Sequence, residues 1–386
     1  MREPIVDRRS FLKTMGTAIA LSSVDAGGVL QAAQPAPVRF GVDMFSVNRQ
    51  GWTPFQMLDW AAKWGVKVVH FSEIGFIGGL DPDNLKRVRN RADELNLDLE
   101  IGTRSLCPTS QMFDAAEGTA EEQLAKMIDA ARIVQSPIVR CVLGSVADRA
   151  VARGGIEARI DDMAKMLKAS RSRVMDAGLK VAIENHAGDM QARELKMLVE
   201  AAGPEFVGVT LDSGNPVWTI EDPHLTLDTL SPYVLTSHMR DSSIWMTQQG
   251  IATAWMRMGE GNMGMEEYLR TYIQKCPGRA VSLEVIVSGG PRMFNFANPA
   301  AWAIYAKQPA WEFARFLALA EKGTPPPGMA NAGTGARGGT QPAAQSAGAA
   351  PPAPARGAAQ NAAAIARQLE DAETSIRWTK AFLEKL

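Results

Sequence analysis

Apolar residues along this chain gather into eight short runs separated by longer amphipathic stretches. The runs occupy residues 38–44, 66–72, 97–103 and 138–144, followed by KVAIE ending at Glu184, VGVTLD at Asp212, YVLTSH at His238 and AVSLE at Glu284. They are rich in β-branched residues and lack regular polar alternation, the pattern of strands buried on both faces of a parallel sheet. Seven of the eight connections carry a helical period. In residues 54–64, Phe55, Leu58 and Ala62 recur at helical spacing, and Asp81-Pro82 opens a charged helix reaching Leu95. A third helix begins near Thr119, with Glu121 and Glu122 in its first turn, where they favour the helix dipole. A long fourth helix is predicted over 156–177, closed by Gly178.

Strands alternating with helices in this rhythm mean parallel βαβ units, and eight of them predict an α/β fold, a single-domain (β/α)8 TIM barrel. The alternative, an open doubly wound sheet, normally carries a glycine-rich phosphate turn after its first strand; GVDMFSVNRQGW is not one. The eighth helix is displaced. A plausible helix covers 311–322, after which residues 323–360 collapse into Pro, Gly, Ala and Gln and read as a disordered insertion. Periodicity resumes at Ile365, Leu369, Ala372, Ile376, Trp378, Phe382 and Leu386, so residues 361–386 are predicted to pack back on the barrel body, residues 37–322.

Composition narrows the partners. The 386 residues carry a net charge of −1, which removes any bulk electrostatic attraction for nucleic acid or acidic membranes and points to a small-molecule partner. Hydrophobic residues at 46% and charged residues at 22% suit a globular protein with a large core. No apolar run of membrane-spanning length follows the amino terminus. Cys107, Cys141 and Cys276 have no metal-ligand spacing and read as small buried hydrophobes. At the amino terminus, DRRSFLKTMG precedes the weakly apolar TAIALSSV and the small residues Ala32, Ala33 and Ala36. Arg8, Arg9, Phe11, Leu12 and Lys13 resemble a twin-arginine signal, so residues 1–36 are predicted to direct export of a folded, metal-bearing protein to the periplasm or beyond.

The chemistry sits at the ends of the last four runs. Glu184, Asp212, His238 and Glu284 each close a strand, and parallel strands of a barrel all finish at one rim, so these four would converge. Singly, a carboxylate at a strand end is usually a helix cap or a surface ion pair; four at corresponding places form a ligand set for one divalent cation. Three oxygen donors favour Mn(II) or Mg(II), and the imidazole admits Zn(II). Two adjacent oxygens of a sugar could complete the shell, the metal acidifying the carbon between them and stabilising the enediolate, with Glu184 and Glu284 as base and acid. Predicted substrate contacts are His186, two residues after Glu184; Arg240, two after His238; Asn215 in LDSGN; His70, with Glu73, at the end of the second run; and Glu260 in MGEGN. His224 reads as loop. Trp245, Met246, Trp255, Met256 and Met258, within the loop predicted over 242–261, suit stacking on a sugar ring or a subunit contact, and a homo-oligomer is left open.

The blocks IENH, LDSGN, SHMRD, GEG and LEV, in this order, resemble the xylose isomerase-like superfamily of sugar isomerases and epimerases over roughly residues 38–322 plus the final helix. The resemblance implies a TIM barrel, a divalent metal on the same four residues, and proton transfer beside a sugar carbonyl. Ketose 3-epimerases of that group carry a glutamate, a histidine and an arginine where this chain has Met190, Asn215 and Ile244, which argues against epimerisation of a free ketose in their manner. Endonuclease IV shares the fold but needs a larger histidine set than the four histidines here. The expected activity is a metal-dependent sugar isomerase or epimerase. Its rivals are a lyase or dehydratase on an oxidised glycoside or inosose, and a non-catalytic periplasmic sugar binder.

Overall fold

A computed structural model describes residues 38–330 and 358–386. The predicted export segment, residues 1–36, and the greater part of the predicted insertion lie outside these.

Eight parallel strands form the barrel wall: β1 (Phe40–Asp43), β2 (Val68–Phe71), β3 (Asp98–Ser105), β4 (Ile138–Val142), β5 (Lys180–Glu184), β6 (Val207–Asp212), β7 (Val234–His238) and, after an intervening hairpin, β10 (Val281–Leu283). They pair in the order β10-β1-β2-β3-β4-β5-β6-β7. The ring closes between β7 and β10 through an isolated parallel bridge, Met239 with Leu283. At this seam Met239 donates its amide to Ser282, Glu284 donates to Met239, and the Ser237 hydroxyl links the Ala280 carbonyl to the Ser282 amide. The expected (β/α)8 barrel is therefore the observed fold.

Local chemistry starts the helices where the sequence places them. α1 (Pro54–Lys63) and α3 (Ala120–Val134) open with reciprocal capping boxes, Thr53 with Gln56 and Thr119 with Glu122. α2 (Pro82–Glu94) is capped by the Asp81 carboxylate. α4 (Gly155–Asp176) is followed by Gly178 at φ 68°, a backbone conformation that closes a helix without steric cost to glycine. α5 (Ala192–Ala202), α6 (Pro223–Leu230) and α7 (Met265–Lys275) complete the intervening connections.

One departure from the sequence reading positions the site. The stretch 242–261, expected as a loop, forms a hairpin of β8 (Asp241–Thr247) and β9 (Gly250–Met256), joined by β11 (Arg292–Phe294) into a small antiparallel sheet. Its base is fixed by the Asp241 carboxylate, which accepts from the amides of Ser242, Gly259 and Gly261. Then α8 (Ala310–Lys322) packs Phe316 and Ala320 on this sheet, against Ile244 and Ile251. The barrel flank is covered instead by α9 (Ala358–Leu383), whose Ala372, Ile376 and Phe382 join the main core. Gln368 hydrogen-bonds Asn48 and Arg49 just after β1, Lys380 reaches the Trp64 carbonyl, and Arg257 pairs with Asp371 at 2.7 Å.

Glu221, just before α6, ties neighbouring units together by accepting from Ala192 at the start of α5 and from the Thr226 hydroxyl. Burial pushes its carboxyl from 4.5 up to about 7. Between those values the folded protein holds a proton that the unfolded chain has released. The stabilisation is thus complete below pH 4.5 and lost as pH rises through 7. Urea unfolding across this window should show wild-type stability declining with pH. Glu221→Gln should flatten that decline by on the order of 3 kcal/mol.

Candidate metal centre

The four predicted donors meet. Ligand atoms of Glu184, Asp212, His238 and Glu284 all lie within 4.8 Å of one another, and each residue is at most 4% exposed. Strand register accounts for it. Asp212 and His238 are direct neighbours across β6 and β7, and Glu184 aligns with Thr210, two residues below Asp212. Glu284 follows β10 at the seam bridge, beside His238.

Each donor is held by further contacts. Glu184 Oε2 accepts from Arg140 Nε and Nη2 at 2.8 and 2.5 Å, and Oε1 accepts from Asn215 Nδ2 at 3.2 Å. Asp212 Oδ1 accepts from the amides of Gly214 and Asn215, while Oδ2 meets Arg240 Nη2 at 2.5 Å. The same Arg240 nitrogen contacts Glu284 Oε2. Glycine makes room for both guanidinium groups: a Cβ on Gly214 would collide with Arg240, and one on Gly102 would press on Arg140.

Burial alone would raise the pKa of Glu184, but Arg140 and then His238 outweigh it and hold the carboxyl well below its ordinary range. Burial pushes Asp212 up to about 6 against the pull of Arg240. The contrast follows from contacts: Glu184 receives the full fork of an arginine, whereas Arg240 is shared between two carboxylates.

The donor set fits a divalent cation. Neighbouring ligands at right angles around an ion, each about 2.1 Å from it, stand about 3 Å apart. His238 Nδ1 lies 2.9 Å from Glu184 Oε2 without a hydrogen bond between them, a separation that matches adjacent ligands of one ion.

The other predicted contacts separate into those that join this cluster and those that do not. Asn215 and Arg240 touch it directly, and Nε and Nη1 of Arg240 are buried without protein partners. His186 is half-buried, its Nδ1 2.8 Å from the Gly144 carbonyl, which places the ring proton on Nδ1 and leaves Nε2 as an acceptor. His70, expected at the rim, is 2% exposed beneath the metal ligands, with Nδ1 3.1 Å from His238 Nε2; burial pushes its pKa down to about 4. Glu260 is exposed and pairs with Arg257. Trp255 cannot stack on a sugar, since Trp218 covers one face at 4.3 Å and the Arg240 guanidinium lies 4.6 Å from its ring centre; Trp245 and Met258 are buried.

Sequence reasoning missed Arg140, Asp43 and Glu100. Arg140 had a signal: a lone charge inside the apolar run IVRCV, where only a buried partner makes a charge tolerable. Asp43 ends β1 as the four ligands end their own segments. With His70 and His238 it forms a second grouping whose ligand atoms also lie within 4.8 Å.

Metal-stripped protein should gain roughly 2–5 °C in Tm on addition of Mn(II) or Mg(II) at about a hundred times Kd, and Asp212→Asn should abolish the gain. Differential scanning fluorimetry with and without chelator reads both outcomes.

The fold has known counterparts. The chain is 23% identical over 185 residues to 3-oxo-isoapionate decarboxylase of Pectobacterium atrosepticum, a match covering 48% of this chain and 59% of that protein. A solved D-psicose 3-epimerase with D-tagatose from Clostridium cellulolyticum H10 superposes with a TM-score of 0.52 at 11% identity, over 72% of this chain and 95% of that one. A xylose isomerase-like TIM barrel protein from Mycobacterium smegmatis in complex with magnesium gives 0.51 at 12%, over 73% and 97%. At such identities the two solved structures speak for the fold alone. Residues 58–304 match the family described as Xylose isomerase-like TIM barrel, and the chain belongs to that family.

Proposed function

We propose that this protein is a divalent-metal-dependent enzyme that isomerises or epimerises a sugar or keto-sugar by moving a proton beside its carbonyl. When bound at Glu184, Asp212, His238 and Glu284, the cation supplies Lewis acidity to two adjacent substrate oxygens and so acidifies the C–H between them.

The supporting observation is the unequal engagement of the two glutamates. Glu184 spends both oxygens, one on Arg140 and one on Asn215. That makes it an anchor and a poor base. The contacts of Glu284, with Arg240 and His238, run through Oε2, so Oε1 is left to take a proton from substrate carbon. Returning that proton to the neighbouring carbon on the same face gives isomerisation with a single base. Epimerisation requires a donor on the opposite face as well, and Glu184 is badly placed to be it. Arg240, with Nε and Nη1 free, would hold a substrate oxygen beside the reacting carbon. A twin-arginine signal would deliver the enzyme folded and metal-bearing to its sugar outside the cytoplasm.

A second reading ends in elimination or decarboxylation. The decarboxylase relative favours it, as does the buried Arg240, whose unpartnered Nε and Nη1 suit a carboxylate on the substrate.

Proton NMR in deuterated buffer, with metal and a panel of keto-sugars and sugar acids, tests both. Isomerisation should exchange one carbon-bound proton with no alkene signal, and Glu284→Gln should lower turnover by about 10²- to 10⁴-fold. A vinyl proton or released CO₂ would select the second reading. Binding without turnover on any member would make the protein a sugar binder.

A further inference from the structure

Both ring nitrogens of His238 are occupied, and on opposite sides. Nδ1 faces the metal donors, 2.9 Å from Glu184 Oε2 and 3.5 Å from Glu284 Oε2. Nε2 faces the barrel interior, 3.1 Å from Nδ1 of His70. His70 Nε2 in turn stands 3.2 Å from Glu100 Oε2 and 3.4 Å from the Thr236 hydroxyl. His70 sits on β2, Glu100 beside it on β3, and His238 on β7, so this line of groups crosses the barrel lumen. All three residues are at most 7% exposed.

Proton positions along the line are forced by the end that must bind the ion. A ligating nitrogen carries no proton, so neutral His238 has its proton on Nε2 and donates it to His70 Nδ1. His70, accepting at Nδ1, keeps its own proton on Nε2, which faces the Glu100 carboxylate at 3.2 Å and the Thr236 hydroxyl at 3.4 Å. The Glu100 carboxylate, 3.2 Å from His70 Nε2, then polarises both imidazoles toward Nδ1 of His238. Asp43 does not take this place: its Oδ1 accepts from Phe45 and Ser72, and its Oδ2 lies 3.8 Å from His238 Nε2.

Given the metal centre proposed above, we infer that His70 and Glu100 are positioning residues for it: a Glu100–His70–His238 relay locks the ring orientation and tautomer of the imidazole ligand and strengthens its donation to the cation. Groups that orient ligands in this way typically contribute about 10- to 100-fold to metal affinity. His70 thus acts on the ion from below rather than on substrate from above.

The test uses the full chain, stripped and reloaded with Co(II), with affinity measured by chelator competition and coordination by the visible spectrum. His70→Ala should weaken Co(II) binding about 10- to 100-fold and change the d–d bands. His70→Gln, which can still accept from His238, should recover most of the affinity. Should His70→Ala fail to fold, Glu100→Gln carries the test: it keeps an acceptor but removes the charge, and should shift the Co(II) bands and weaken binding several-fold. Unchanged affinity and superimposable spectra in either folded variant would overturn the relay. So would binding of two ions per chain with one lost in His70→Ala, which would make His70 a ligand. Failure of the wild type to bind Co(II) would remove the metal centre itself, a result distinct from a wild type that binds and variants that match it.

Discussion

The constraint that shapes this molecule is the enclosure of three carboxylates and an imidazole, almost without solvent, at the mouth of a barrel. Gathering like charges out of water costs several kcal/mol per ion unless each finds a counter-charge or a full set of hydrogen bonds. Much of the surrounding architecture answers that demand. Arg140 comes from β4 and Arg240 from just after β7, and Gly102 and Gly214 leave space for their side chains to lie flat against the strands. The amides of residues 214 and 215 turn toward Asp212. A divalent cation held there would complete the neutralisation that two arginines begin.

Around that centre the protein divides labour between rigid and adjustable parts. The strand ends supply the donors, and their register leaves little freedom in where each carboxylate begins. The surface above is set by the small antiparallel sheet, which Asp241 pins at its base and α8 backs with apolar contacts. The Trp218–Trp255 pair transmits the position of that sheet to Arg240, whose guanidinium lies over the Trp255 ring. The candidate metal centre and the small sheet therefore share one side chain, Arg240.

Much of this was legible in the sequence, for a physical reason. A donor closing each of four successive buried strands is a pattern that barrel topology converts directly into proximity, so Glu184, Asp212, His238 and Glu284 could be brought together without coordinates. Helix starts at Thr53, Asp81 and Thr119 were readable because capping is local chemistry. The hairpin of β8 and β9 was not, because both its faces are largely covered and the alternation that marks a half-exposed strand is absent. Facing direction was the other failure. His70 closes a strand as the ligands do, yet its side chain fills the lumen below them. Glu260, marked by its GEG motif, turns to solvent. Neither distinction follows from spacing along the chain, because it depends on how far each strand climbs relative to its neighbours.

The seam of the barrel bears on how two of the donors are spaced. β7 and β10 meet through the bridge of Met239 with Leu283, each immediately adjacent to a ligand, His238 on one side and Glu284 on the other. The spacing of those two backbones is therefore set by main-chain pairing, and each side chain reaches the centre from it. A substitution that loosens this bridge would part His238 from Glu284 without altering either side chain.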